Sequence, residues 1–376
     1  MLTLGCGPYY LNIESCPSER LPEAPDKITV QYLGVGGFLI SRGDPEAGRV
    51  ILTAPLYSNP SLVELLGDHA LRPDGALIDR LLPAAAQHAR AILVGHSHYD
   101  HLMDVPYVAL HKAKLANVYG TLTTARLLAP LAKDLAKQGT AVIPFRDEEI
   151  WDHTREGRWK EVAPEIRVAA IRSEHSAQAT LKLGSQPIPF HLWRGERSHE
   201  DAEELPRSAS EWAEGGVLAY VVDFMDAGRT RFRIYYQDSG TNEPIGLIPA
   251  ALKAERDVDL AIVCVGGAYE RLDNHPEAII RNTHPRYVLL AHWEDFFVTQ
   301  DAYCSDGGHY GPLGATHPGC KDGKGRIYGL PSTNFGESSQ VRPFLKRVER
   351  AIRADNSKAQ YWLPCPTRSI FDFAIQ

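Results

Sequence analysis

A dense run of coordinating side chains lies in residues 92–104, the stretch ILVGHSHYDHLMD. His96, His98, Asp100 and His101 fall within six positions. Imidazole nitrogens and carboxylate oxygens are the ligands that zinc and neighbouring first-row metals use in proteins. Because side chains two positions apart in an extended segment point the same way, the first two histidines can converge on one ion and the last two residues can reach a second. The run therefore predicts a buried metal site, since without an ion its polar atoms would need other partners.

Three further candidates follow apolar runs later in the chain. His175 stands in IRSEHSA, Asp238 in IYYQDSG and His292 in VLLAHWED. Each apolar run reads as a strand, so each polar residue would stand just past a strand end. A lone histidine at such a place is usually a hydrogen-bonding residue. These three residues become candidate metal ligands because the cluster at residues 96–101 is present in the same chain.

The elements around these residues mix strands and helices. ARAILVG, directly before the cluster, is a continuous apolar run closed by Gly95, which is typical of a strand buried on both faces. Helical periodicity covers residues 105–114, 123–138 and 340–354. Residues 184–215 are polar and contain several Pro and Gly residues, which predicts a segment at the surface, named here the polar excursion. Its two tryptophans predict that part of it packs against the rest of the protein. The order of elements favours an α/β or α+β protein.

Composition limits the class of partner. Apolar residues make up 44% of the 376-residue chain and charged residues 23%, as in soluble globular proteins. The formal net charge of −7 argues against a nucleic-acid surface, which is usually basic. No apolar run approaches the roughly 18 residues that suggest a membrane span. A small-molecule substrate is the expected partner, and the oligomeric state stays open.

HSHYDH resembles the HxHxDH motif of the metallo-β-lactamase superfamily, and the three later residues come in that superfamily's order. The resemblance implies an α+β fold, a four-layer αβ/βα sandwich. It implies one domain over residues 27–376, after an extended lead-in at 1–26, with insertions at about 184–215 and 300–340. It also implies two divalent metal ions, Zn²⁺ first, with Mn²⁺ or Fe²⁺ as alternatives. The implied ligands are His96, His98 and His175 for the first ion, Asp100, His101 and His292 for the second, and Asp238 as the bridge.

The activity that the resemblance implies is hydrolysis by a hydroxide that bridges two metal ions, which lower the pKa of the shared water. Asp100 and His292 are the predicted catalytic residues. The opening VQYLGVGGFLI resembles the branch of lactonases and N-acyl-phosphatidylethanolamine phospholipase D-like proteins, which favours a small ester, lactone or phosphodiester. The alternatives are a non-hydrolytic metal-binding member with a redox or sensor role, and a β-lactam-hydrolysing enzyme.

One position departs from the superfamily's pattern. Members commonly have an aspartate at the end of the strand that reads ILTAP here, where it orients the ligating histidines. This sequence has Ala54. Another group or a water has to take over that support, or the site is looser.

Candidate substrate contacts come from segments next to the expected ligands. Trp293 follows His292 directly, and Tyr303 and His309 lie in the Gly-rich segment behind it. His191 lies in FHLW, within the polar excursion. For each of them a purely structural role is the competing interpretation.

The N-terminus and the cysteines bear on location. LTLGC imperfectly resembles the end of a bacterial lipoprotein signal, with Cys6 as the lipidated residue, which favours a membrane-tethered protein of the envelope or periplasm. Cys304 and Cys320 would then form a disulfide. The alternative is a cytoplasmic protein with six free thiols.

Overall fold

Two seven-stranded sheets packed face to face form the centre of the protein. The computed structural model describes residues 10–11, 18–22, 24, 26–66, 69–183, 186–195, 200–265, 272–294, 327–328, 338–355 and 358–375. Helices pack against the outer face of each sheet, which gives four layers. The α+β sandwich predicted from the sequence is therefore confirmed.

The strands are numbered in chain order, and seven of them, from the N-terminal half and the chain end, form the first sheet. In chain order the strands of the described residues are Tyr10–Leu11 (β1), Lys27–Gly34 (β2), Gly37–Arg42 (β3), Val50–Thr53 (β4), Ala91–Leu93 (β5), Asn117–Gly120 (β6), Val142–Pro144 (β7), Trp159–Ala163 (β8), Ile166–Ser173 (β9), Ala179–Leu183 (β10), Gln186–Phe190 (β11), Val217–Asp226 (β12), Arg229–Tyr236 (β13), Leu260–Cys264 (β14), Tyr287–Ala291 (β15), Ile327–Tyr328 (β16), Gln360–Trp362 (β17) and Ile370–Ala374 (β18). The first sheet runs β18-β2-β3-β4-β5-β6-β7 and the second β17-β15-β14-β13-β12-β9-β8.

The helices are short except for the last. They are Leu62–Leu66 (α1), Gly75–Leu81 (α2), Tyr99–Leu102 (α3), Val105–Tyr107 (α4), Leu122–Leu127 (α5), Ala132–Gln138 (α6), Ala250–Glu255 (α7), Glu277–Thr283 (α8) and Ser338–Ala354 (α9). None of the helices in the described ranges is both long and apolar enough to cross a bilayer.

The two sheets share one pairing pattern. In the first sheet β18, β2, β3 and β4 pair antiparallel, and β4 through β7 pair parallel. In the second sheet β8, β9, β12 and β13 pair antiparallel, and β13, β14, β15 and β17 pair parallel. Parallel strands bring their carboxyl ends to one edge of a sheet, and the residues after β5, β13 and β15 lie at such edges.

Strand β5 shows how the sequence pattern produces the layers. Its three residues are fully buried. Ala91 and Leu93 belong to the core between the sheets, whereas Ile92 packs with the helices on the outer face. Side chains alternate along a strand, so a strand covered on both faces needs apolar residues at every position. The continuous apolar run in the sequence has this cause.

Two segments differ from their sequence patterns. Residues 123–138 form two helices, α5 and α6, joined by the 3-10 turn Ala129–Leu131, because Pro130 lacks the amide hydrogen that a continuous helix needs. The polar excursion at 184–215 begins inside a β-hairpin, since β10 pairs antiparallel with β11. Pro187 and Pro189 hide that strand in the sequence, because proline is uncommon inside a strand.

One outcome concerns the cysteines. Cys365 is disulfide-bonded, so the alternative with six free thiols is wrong. The predicted Cys304–Cys320 pair lies outside the described residues.

A buried ion pair holds the hairpin β12–β13, which leads to Asp238. The Arg233 side chain is inaccessible and donates to both Asp223 oxygens, at 2.6 and 2.8 Å, and to the Leu252 carbonyl at 2.6 Å. We expect Arg233→Met to lower the free energy of unfolding by about 3 kcal/mol, because it leaves a carboxylate and a carbonyl buried without their donor. Arg167 still bonds to Asp223, which keeps the loss from being larger. Urea unfolding followed by circular dichroism measures it.

Arg281→Met is the matched control. Its partner Glu243 is 3.0 Å away, but both side chains are more than a third exposed, so the pair contributes less than about 1 kcal/mol. Equal losses in the two variants would contradict the assigned role of the buried pair.

Candidate metal centre

The site begins where the chain leaves β5. Position 95 requires glycine because the Asp238 carboxylate lies against its backbone: a Cβ placed there would lie 2.2 Å from the Asp238 Oδ2 atom. Asp238 comes from the second sheet, just past β13, and is 1% exposed. The first sheet and the second sheet therefore meet directly at this point.

Three histidines form one group. The imidazole ring centroids of His96 and His175 are 4.7 Å apart, and those of His98 and His175 are 5.0 Å apart. One nitrogen from each of the three can be chosen so that all lie within 4.8 Å of one another. His175 follows β9, and its Nδ1 donates to the Ser176 carbonyl at 2.6 Å, which leaves Nε2 available. Such a group has the donor type and spacing of a zinc site.

A second group adjoins the first. Asp100 Oδ2 lies 3.3 Å from His101 Nε2 and 3.3 Å from His292 Nε2. Asp238 lies between the two groups, with Oδ1 3.2 Å from His96 Nδ1 and Oδ2 3.4 Å from His101 Nδ1. The structure thus brings together all seven residues that the sequence selected as metal ligands.

Burial keeps the histidines of the first group neutral. Desolvation lowers the pKa of His96 well below its ordinary value, and nearby His101 and His175 lower it further. The same cause, with the histidine neighbours, lowers the pKa of His98 and of His175 to about 3. Neutral imidazole is the form that binds metal.

The two aspartates behave differently. Burial acts to raise the pKa of Asp100, but His101 and His292 hold it well below its ordinary value, so this carboxylate is ionised. Burial raises the pKa of Asp238, and the neighbouring histidines offset part of that increase. A bound cation would favour the ionised form of both.

His292 is held by a buried network that the sequence did not indicate. Its backbone has a φ of 57°, and its N–H lies 3.0 Å from the Val35 carbonyl and 3.1 Å from the Tyr32 hydroxyl. Glu294, which is inaccessible, accepts from the Tyr32 hydroxyl at 2.6 Å, from the Trp293 N–H at 2.9 Å and from the Val35 N–H. Three donors on one carboxylate fix the turn that presents His292.

At Ala54, where the superfamily's pattern has an aspartate, the residue is buried and its N–H donates to Leu93. The loop after it is tied to the turn between α3 and α4 by Asp104, whose Oδ2 accepts from the Tyr57 and Ser58 N–H groups at 2.7 and 2.9 Å. Burial raises the pKa of Asp104 to about 6. Polar support for the site therefore comes from other positions than the expected one.

Glu214 is a second residue that sequence reasoning missed. It lies just before β12, is 7% exposed, and its Oε2 is 3.9 Å from His98 Nε2. Burial raises its pKa to about 7. Nothing in the polar excursion distinguishes it from the other glutamates of that segment, because its position depends on how the loop folds back.

A cavity of about 570 Å³ opens beside His175 and is lined by residues that include His191, Arg194, Glu214 and Asn242. The predicted contact His191 thus lies on its wall. Trp293 does not: its side chain is fully buried, and its indole N–H donates to the Pro364 carbonyl at 2.7 Å, so its predicted substrate role is replaced by a core role. The predicted contacts Tyr303 and His309 lie outside the described residues.

No protein-family model matches the sequence, and none of the curated proteins is significantly similar to it. Solved structures do match. Igni18, a metallo hydrolase from the hyperthermophilic archaeon Ignicoccus hospitalis, is 13% identical with a TM-score of 0.45, over 93% of this chain and 100% of that chain. CmlA, a diiron β-hydroxylase from Streptomyces venezuelae, is 10% identical with a TM-score of 0.44, over 94% of this chain and 55% of that chain.

The short form of human tRNase Z is 12% identical with a TM-score of 0.38, over 70% of this chain and 92% of that chain. At such identities a likeness concerns the fold alone. The α+β sandwich of this protein is established by its own two sheets and their pairing.

Proposed function

We propose that this protein is a metal-dependent hydrolase that binds two divalent cations, most favourably Zn²⁺, at the buried cluster. The observation that carries the proposal is the convergence of five histidines and two aspartates at the meeting edge of the two sheets. Buried polar atoms normally have hydrogen-bond partners. Within the described part of the chain, His96 Nε2 and Asp238 Oδ2 have none.

The donor set fits such ions. His96, His98 and His175 would hold the first cation, through neutral imidazoles that need not lose a proton. The remaining ligands would be Asp100, His101 and His292 for the second cation, with Asp238 shared. Imidazole with carboxylate suits zinc, and it also suits manganese or iron.

When bound, two such cations lower the pKa of a water to near neutrality and stabilise the charge that develops on the attacked group. The chain's own part is orientation. Asp100 uses Oδ2 toward His101 and His292, so its Oδ1 is left to accept a hydrogen bond from the attacking water. Both groups sit on a rigid scaffold, which keeps that geometry fixed before substrate arrives.

The cavity beside His175 is the proposed substrate site. Its volume of about 570 Å³ is in the range of small-molecule pockets. Arg194 and His191 on its wall supply donors for a polar or anionic part of the substrate. A small ester, lactone or phosphodiester meets these conditions.

The first prediction is metal content. Protein purified without chelators should contain about two transition-metal ions per chain, because seven ligands exceed the four of one tetrahedral site. Elemental analysis measures it. Protein that contains well under one ion and takes up none on addition of zinc or manganese would contradict the proposal.

The second prediction separates hydrolysis from a redox or sensor role. Asp238→Asn should lower turnover of chromogenic ester and phosphodiester substrates by about 100-fold or more, since the shared carboxylate loses its charge. Asp257→Asn, at an exposed position after α7, is the control and should keep full turnover. Wild-type protein that binds two ions but hydrolyses neither substrate, and consumes oxygen instead, would favour the redox role.

The third prediction tests the close approach at Gly95. Gly95→Ala should lower metal content markedly, because the added methyl group would displace the Asp238 carboxylate. Gly228→Ala is the matched control: Gly228 has a φ of 77° but nothing within 4 Å of an added Cβ, so backbone strain occurs there without displacement of a ligand. Equal metal content in the two variants would show that the contact does not shape the site.

A further inference from the structure

Two buried polar atoms face each other at the point where Glu214 lines the cavity. Glu214 Oε2 lies 3.9 Å from His98 Nε2, and the two side chains are 9% and 4% exposed. Neither atom has a hydrogen-bond partner among the residues that the structure describes. An unpaired buried carboxylate oxygen and an unpaired ring nitrogen both cost stability, and one proton between them would satisfy both.

The Glu214 side chain is not needed to hold its loop in place, because backbone hydrogen bonds do so. The Glu214 carbonyl accepts from the Ser97 N–H at 3.0 Å, and its N–H donates to the Trp193 carbonyl at 3.2 Å. Gly215 continues the anchoring with an N–H bond of 2.8 Å to the Gly195 carbonyl. The backbone therefore fastens the loop to the ligand segment, which leaves the side chain of Glu214 with a separate role.

The surroundings favour an interaction with His98. Trp193 packs edge-on against the His98 ring and against Tyr99, with centroid distances of 6.3 and 5.7 Å, and so covers one side of the His98 ring. Within the described ranges, His98 is the one ion-pair contact of the Glu214 carboxylate. A hydrogen bond between two largely buried groups is stronger than one in solvent.

We propose that Glu214 is a positioning residue for the metal centre: its carboxylate accepts a hydrogen bond from His98 Nε2 and thereby directs His98 Nδ1 toward the first cation. The inference rests on the proposed metal site. Ligating histidines generally donate their other ring N–H to a carboxylate or carbonyl, which fixes the ring and raises its basicity. His175 already does so through Ser176. A shift of about 1 Å brings the Glu214 contact to hydrogen-bond length.

The test uses Glu214→Ala and Glu214→Gln, with Glu203→Ala as the control at an exposed position of the same loop. Zinc affinity is measured by competition with a chromophoric chelator. We expect Glu214→Ala to weaken zinc binding about 10–100-fold. Glu214→Gln, whose amide oxygen still accepts a hydrogen bond, should weaken it less, and Glu203→Ala should match the wild type.

The second readout is the tautomer of His98, from nitrogen-15 NMR of histidine-labelled, zinc-loaded protein. In the wild type and in Glu214→Gln, His98 should carry its proton on Nε2 and bind zinc through Nδ1. A Glu214→Ala variant that binds zinc as tightly as the wild type would overturn the proposal. Zinc bound to His98 Nε2 in the wild type or in Glu214→Gln would also overturn it. This measurement does not depend on whether the alanine variant folds. Wild-type protein that binds no zinc would overturn the metal site and this role together, whereas normal wild-type binding with no effect of Glu214→Ala would overturn this role alone.

Discussion

The contact between the Asp238 carboxylate and the loop after β5 joins the two halves of this protein. Asp238 is supplied by the second sheet, and His96 and His101 by the first, with separations of 3.2 and 3.4 Å. The approach requires the bare backbone of Gly95. A shared cation site at this edge would add a favourable interaction between the sheets to the apolar core that packs them.

The polar groups around the cluster are arranged to hold it before any ion binds. His292 lies in a turn that is held by the hydrogen bond from its N–H to the Val35 carbonyl. Both residues of this bond have a left-handed backbone conformation, with φ 52° at Val35 and φ 57° at His292. Non-glycine residues in that region are strained and persist where the surroundings fix them. The buried Glu294 carboxylate does so through the Val35 and Trp293 N–H groups and the Tyr32 hydroxyl.

Much of the site was predictable because its chemistry is local or periodic. HSHYDH concentrates four donors in six residues, and each later donor stands past an apolar strand-forming run. Glu294 and Glu214 were not predictable, because their partners are distant in sequence: Tyr32 is 262 positions from Glu294. Trp293 was misplaced because nearness to His292 along the chain does not give direction, and its side chain points into the core.

The most direct test of the dinuclear metal centre is anomalous X-ray diffraction from crystals of the zinc-loaded protein, recorded on both sides of the zinc absorption edge. A dinuclear centre should give two anomalous peaks per chain about 3.5–4 Å apart. One should lie among His96, His98 and His175, the other among Asp100, His101 and His292, with Asp238 between them. Crystals with no peak at the cluster, or with zinc bound only elsewhere on the chain, would contradict it.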